Sequence, residues 1–357
     1  MKRLPLAALV AAFFIFLVLS VSVRQAVLLL VGMGMGAALA GARFGFTTGW
    51  RQLIEQRDPR GVTGQALLLA LASLAALPLL GQFSELQAAL GPPSVSLLVG
   101  AFAFGLTMQI ADGCGSGTLY KAGLGVPLNM GILPLFALGS FLGSAHLEHW
   151  LALGQIEPVS LPEQLGTGGA LALTFGLLAL AMLAVRAWVG AGRQWFEKRW
   201  VWGAIALAVL ATLNLLLAGQ PWGVVYGFGL WAAKVSVAMG TFDPSANMFW
   251  SQAGNAERLT QTILMDVTTI TSIGILAGAL WVSSKSPSTS QPLTVQQWAI
   301  GLVAGFVMGY SSRLAFGCNV GAMLSGIATG SLHGWIWVPL AFTGTLVGVR
   351  IRRRYGF

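Results

Sequence analysis

A chain of 357 residues in which 56% are hydrophobic and only 9% charged cannot cover a water-soluble globule, whose charged share is roughly 25%. Its 20 Lys+Arg against 11 Asp+Glu, net +9, would raise nucleic acid as a partner in a soluble protein, but the basic residues bunch between apolar runs, where they set orientation in a bilayer. The apolar runs are continuous and lack the alternation of a membrane barrel, so the expected class is an all-α polytopic membrane protein, its backbone satisfied by closed helices.

At about 20 apolar residues per crossing, the sequence predicts ten transmembrane helices, over 4–22, 25–42, 62–80, 94–111, 127–147, 166–185, 200–219, 260–282, 297–315 and 331–349. The first follows Met1, Lys2 and Arg3 and has no clear small-residue cleavage site, so it is read as a retained extra helix (1–24). Segment 222–240 is apolar but carries four glycines and Lys234. Counting it as an eleventh crossing would put the terminal arginines on the outer side. It is therefore expected as a re-entrant or broken helix, which lipid tolerates only inside protein or along a cavity.

Positive charge gives the orientation. Lys2 and Arg3, the group Arg51, Arg57 and Arg60, the group Arg186, Arg193, Lys198 and Arg199, and the terminal Arg350, Arg352, Arg353 and Arg354 all fall on one side with ten crossings. That side is expected to be cytoplasmic, with both termini, in a multi-pass inner (plasma) membrane protein. The segment with Glu148, Glu157 and Glu163 has no Lys or Arg and fits the outside.

The two cysteines of the chain lie in related sentences. Residues 100–119 align without gaps on 304–323, with Phe102/Phe306, Gly105/Gly309, Ala111/Ala315, Gly113/Gly317, Cys114/Cys318 and Gly117/Gly321 in register. A weaker echo pairs 32–46 with 227–241. The topology makes these repeats inverted, a recurring transporter design. It divides the chain into a first repeat (25–150), connecting helices (151–221) and a second repeat (222–357). It also places Cys114 near the cytoplasmic end of one helix and Cys318 near the external end of the other, a separation that argues against a disulfide.

The repeated G-C-x-x-G unit is the main candidate site. Glycines remove side-chain bulk, so a substrate can touch thiol and backbone together, and amides at a broken helix N-terminus favour an anion. Small residues also serve plain helix packing. The pathway candidates are Cys114, Cys318, Gly113, Gly115, Gly317 and Asn319, with Arg313, Lys121 and Arg43 as cations that gather or desolvate an anion. Asp112 is read first as a helix-end salt bridge, with pairing to Lys121 or a proton relay as the alternatives. His146, Glu148 and His149 lack a third clear ligand, so no metal is expected, and His333 reads as an interfacial anchor beside Trp335 and Trp337. No catalytic constellation, nucleotide-binding motif or cofactor signature is legible, so neither an enzyme nor ATP-driven pumping by this chain is expected.

These residues resemble a known family. The stretch 313–337 is similar to the C-terminal signature of the YeeE/YedE membrane proteins, 111–123 to their first-half cysteine motif, and 43–52 and 242–249 to two of their re-entrant loops. The resemblance implies inner-membrane uptake of a small sulfur-containing anion, thiosulfate first, with Cys114 and Cys318 contacting the substrate sulfur. It also implies a cytoplasmic TusA-like sulfur-carrier protein as partner, beside the lipid bilayer and with no nucleic acid. The family's thiosulfate importers have another cysteine in the first loop, where this chain has Gly45. That departure leaves a selenium species or another sulfur compound as alternative cargo. Two further alternatives are a membrane sulfurtransferase or redox protein using Cys114 and Cys318, and a non-transporting anchor for the carrier protein.

Overall fold

The computed structural model describes residues 3–284 and 292–357; Lys2, one of the expected orienting charges, lies outside them. The chain begins with α1 (Arg3–Ser20), α2 (Val23–Ala42), α3 (Phe46–Gln56) and α4 (Arg60–Gln82). It continues through α5 (Val95–Ile110), α6 (Gly115–Gly123), α7 (Pro127–Ala145) and the single turn α8 (Leu147–Leu151). Then come α9 (Leu161–Val189), α10 (Lys198–Ala218), α11 (Val225–Ala238) and α12 (Ala253–Thr260). The last helices are α13 (Val267–Ser283), α14 (Val295–Leu314), a π-helical turn at Asn319–Gly326, and α15 (Leu332–Arg354).

Among the described residues nine helical segments are long and apolar enough to cross a membrane. They cover nine of the ten expected crossings, and the tenth, at 260–282, is the 17-residue α13. Segment 222–240 is not broken internally. It forms the continuous 14-residue α11, about 21 Å long at 1.5 Å per residue and too short to span the hydrocarbon core alone. Its glycines serve contact: a Cβ on Gly227 would lie 2.9 Å from Thr268 Oγ1, and one on Gly229 2.9 Å from Ser140 Oγ. Lys234 within it donates to the carbonyls of Leu259 and Gln261 at 2.6 and 2.5 Å, satisfying the open C-terminal end of α12.

Glycine notches hold the bundle together, as small residues do where lipid offers no hydrophobic drive between helices. Gly32 and Gly36 of α2 seat the backbone of Thr271 and Ile275 in α13, and Gly274 and Gly278 of α13 seat Leu29 and Met33 in return. The repeats use the same device reciprocally. Gly105 of α5 abuts the Ala341 carbonyl of α15, while Gly309 of α14 abuts the Phe136 carbonyl of α7. Gly344 and Gly348 meet Phe102 and Leu106, and their counterparts Gly139 and Gly143 meet Phe306 and Tyr310. In each repeat the helix that leads into the cysteine break thus packs beside the other repeat's last long helix.

The same contacts fix direction. Ser96, at the start of α5, donates to the carbonyl of Leu314 at the end of α14 at 2.9 Å, so these equivalent helices run antiparallel and the repeats are inverted. The basic segments also converge: Arg57 reaches the Trp188 carbonyl, Arg60 pairs with Glu197 at 3.3 Å, and Arg353 pairs with Glu55 at 2.8 Å. The groups at 51–60, 186–199 and 350–354 therefore share one end of the bundle, called here the arginine-rich end. α1 and α9 keep few buried residues and form the lipid-facing periphery.

Candidate functional site

The site is built on two matched chain reversals. α5 ends at Ile110 and α14 at Leu314, and two residues later Asp112 (φ 54°) and Phe316 (φ 56°) take the left-handed conformation. Gly113 N–H then donates to the Met108 carbonyl at 3.1 Å and Gly317 N–H to the Ser312 carbonyl at 2.8 Å, the helix-closing bond that a left-handed residue permits. Cys114 (φ −83°, ψ −170°) and Cys318 (φ −96°, ψ −166°) follow in the same extended conformation. Each begins a new helical turn by accepting from the fourth residue on, Thr118 N–H at 2.7 Å and Ala322 N–H at 2.8 Å. Glycine is required before each thiol, since Gly317 has φ 146° and a Cβ on Gly113 would sit 2.9 Å from the Thr118 nitrogen.

The expected separation of the thiols does not hold. Antiparallel pairing of α5 and α14 alone would leave their C-terminal ends about 24 Å apart, 16 residues at 1.5 Å each. The left-handed reversals turn both chains inward instead. A Cβ on Gly115, the residue after Cys114, would lie 3.2 Å from Cys318 Sγ, so the two breaks meet. Both thiols are free and buried, with exposures of 1% and 0%. Cys114 Sγ lies 3.5 Å from Ser116 Oγ.

Around Cys114 a cavity of about 10 Å³ is lined by Gly45, Thr48, Gly113, Tyr120 and Lys121 among others, room for about one water. Of the expected cations, Lys121 belongs to this wall, with its Nζ 2.6 Å from Asp112 Oδ2. Arg43 does not: it is exposed in the left-handed position closing α2 (φ 49°), while its successors Phe44–Thr48 line the cavity.

Next to Cys318, Asn319 is fully buried and neither of its amide atoms has a partner. Buried amides are normally satisfied, so this side chain offers one donor and one acceptor group beside the thiol. Arg313 stands one turn before the break. Its guanidinium lies 4.6 Å from the Phe249 ring centroid and 5.7 Å from that of Tyr226, its buried Nε is unpartnered, and it forms no ion pair among the described residues. Phe249 is brought there by the 242–249 loop, which is tied to the end of α7 by a 2.8 Å bond from Asn247 Nδ2 to the Ala145 carbonyl. Cation–aromatic contact holds a guanidinium without neutralising it.

Some functional candidates were invisible in the sequence. Tyr226 and Phe249 sit 87 and 64 residues before Arg313, and Arg51 and Arg352 reach Asp112 from distant helices at 2.8 and 3.3 Å. Two expectations are overturned. His333 is buried, 1% exposed, with Nδ1 2.6 Å from Ser331 Oγ, and Trp337 packs in the core against Trp50 and Phe104. The loops at Gly91 and Val159 cover the start of α15, the first against the His333 ring and the second through the Leu332 N–H, which donates to the Val159 carbonyl at 3.1 Å, so His333 is not an exposed anchor. His146 pairs with Tyr310 at 3.3 Å, and no metal-holding group of three occurs among the described residues.

Comparison with known proteins gives the family. The model of the family described as Sulphur transport matches residues 41–347. The thiosulfate transporter TsuA of Spirochaeta thermophila is 27% identical over 86% of this chain and 93% of its own length. TsuA of Escherichia coli is 24% identical over 91% and 95%. The probable transporter YedE of Escherichia coli is 27% identical over 46% of this chain and 40% of its own.

Proposed function

Because the chain belongs to the sulphur-transport family, we propose that it carries thiosulfate across the inner membrane, inward, along a path through Arg313, Asn319, Cys318 and Cys114. The observation that carries this reading is the pairing of an unneutralised Arg313 with the buried, unpartnered amide of Asn319 beside Cys318. An apolar frame strengthens the pull of Arg313 on an anion. Asn319 then offers a donor for an anion oxygen, and the thiols, weak S–H donors, contact sulfur without the grip of a fixed cation. Passage needs binding that is favourable but short-lived, which suits a soft relay between two adjacent thiols.

The direction follows from the charges. Positive segments mark the cytoplasmic side, so the arginine-rich end faces the cytoplasm together with both termini, and Arg313 gathers anion from outside. Gly113, Gly115 and Gly317 keep the meeting point free of side-chain bulk. On the cytoplasmic side a TusA-like sulfur carrier is the expected acceptor.

The test is flux through the purified chain alone. Reconstituted in liposomes, the protein is expected to accumulate labelled thiosulfate, whereas an anchor gives no flux. Intact mass after turnover separates transport from group transfer. An obligatory persulfide or a Cys114–Cys318 disulfide would replace the proposed path with a covalent one.

A further inference from the structure

The arginine-rich end holds a charge cluster that the proposed path only approaches. Asp112, two residues before Cys114, meets Arg51 Nη1 at 2.8 Å, Lys121 Nζ at 2.6 Å and Arg352 Nη1 at 3.3 Å. The cations come from α3, α6 and α15, so one carboxylate ties three elements together. The cluster is mostly buried, with the Asp112 side chain 25% exposed and the three cations 15–16%. It also stands at a boundary. Gly113 and Lys121 line the small cavity at Cys114, whereas Asp112 and Arg352 line a cavity of about 600 Å³ on the other side.

Asp112 is not needed for the backbone reversal. Its repeat counterpart Phe316 makes the same left-handed turn, φ 56° against 54°, without a charge. The carboxylate is therefore an addition to the first repeat, and its work is electrostatic. Three cations around one carboxylate leave two positive charges in partly buried surroundings, where charge-assisted bonds to an anion are strong. A divalent oxyanion balances that excess and offers more acceptor oxygens than Asp112 does.

We propose that Arg51, Lys121 and Arg352 form a second anion site, for a divalent oxyanion, at the inner end of the path, and that Asp112 is its tethered competitor. The carboxylate fills the site between transport events, yields to an anion arriving from Cys114, and retakes the cations so that the anion leaves. A tethered group competes at high effective concentration, which keeps the residence of the anion short, as conduction requires. The identity of the cargo and its direction rest on the transport reading above; the site itself does not.

The experiment titrates the full-length purified chain, in phosphate-free detergent, with thiosulfate and separately with sulfate. Asp112→Asn keeps the shape and removes the competitor. Its affinity for both anions is expected to rise at least about tenfold, as for loss of a charged competitor. Its melting temperature without anion should fall, because three like charges are left together, and should recover as anion is added. Arg352→Gln is expected to weaken anion binding relative to wild type, and the double variant should lose most of the Asp112→Asn gain. Arg352→Gln also decides the matter where Asp112→Asn gives no folded protein. The site is refuted by an Asp112→Asn affinity equal to that of wild type, or by an Arg352→Gln affinity that does not fall. Wild-type liposomes without flux, alongside a tighter-binding Asp112→Asn, would remove the transport reading and leave the site standing. Wild-type flux with unchanged Asp112→Asn affinity would do the reverse.

Discussion

Gly45, which the family resemblance pairs with a third cysteine, has φ −116°, a backbone region open to any L-residue. A Cβ there would lie 2.9 Å from Thr48 Oγ1, 3.2 Å from Thr48 Cβ and 3.5 Å from Tyr120 Oη; a rotamer change of Thr48 relieves the first contact and a shift of a few tenths of an ångström relieves the second. Gly45→Cys is therefore expected to fold and to add a thiol to the Cys114 cavity, with labelled thiosulfate uptake at or above the wild-type rate. Uptake below a tenth of wild type in folded protein would mean that bare backbone is needed there. Arg313 makes the opposite kind of prediction. Arg313→Gln should raise KM for thiosulfate about tenfold and lower kcat less, since a group that gathers substrate acts mainly on binding. Arg313→Lys should fall between, keeping the charge but losing the planar stacking surface. An unchanged KM in Arg313→Gln would remove Arg313 from the path.

The helices obey contacts that are sharper than their composition. A Cβ at Gly105 would collide with the Ala341 carbonyl, and one at Gly309 with the Phe136 carbonyl. Gly105→Val and Gly309→Val should each push a helix pair apart and cost about 1–3 kcal/mol, the usual penalty of overpacking. Thermal unfolding in detergent measures this, and a melting temperature unchanged in both would contradict the reciprocal packing. The glycines and their 204-residue offset were legible in the sequence because both repeats keep the motif at the same turn. Their partners were not, because α5 packs on α15 and α14 on α7, contacts between halves that no local pattern encodes. Lys121 could be paired with Asp112 from nine residues away, whereas Arg51 and Arg352 reach it only through the fold. His333 and Trp337 look like an aromatic belt in one dimension and are core in three.

Around the two reversals the molecule is symmetric in backbone and asymmetric in charge. Both reversals, both helix-closing bonds and both thiols repeat across the inverted halves. At one end Arg313 has no carboxylate among the described residues, while at the other three cations share Asp112. On the proposed path, an unpaired cation at one end and three cations tied to one carboxylate at the other give a preferred direction of capture, with the thiols between them. That junction was the part of the site the sequence placed wrongly: topology alone set the cysteines at opposite ends, and only the left-handed turns at Asp112 and Phe316 bring them together. The most direct test is the initial rate of labelled thiosulfate uptake by liposomes containing wild type, Cys114→Ser, Cys318→Ser or the double variant at equal, folded amounts. Each single change is expected to lower the rate at least about tenfold, equivalent to about 1.4 kcal/mol, and the double change to lower it little further because the thiols act as one relay. Wild-type rates in the double variant would contradict it.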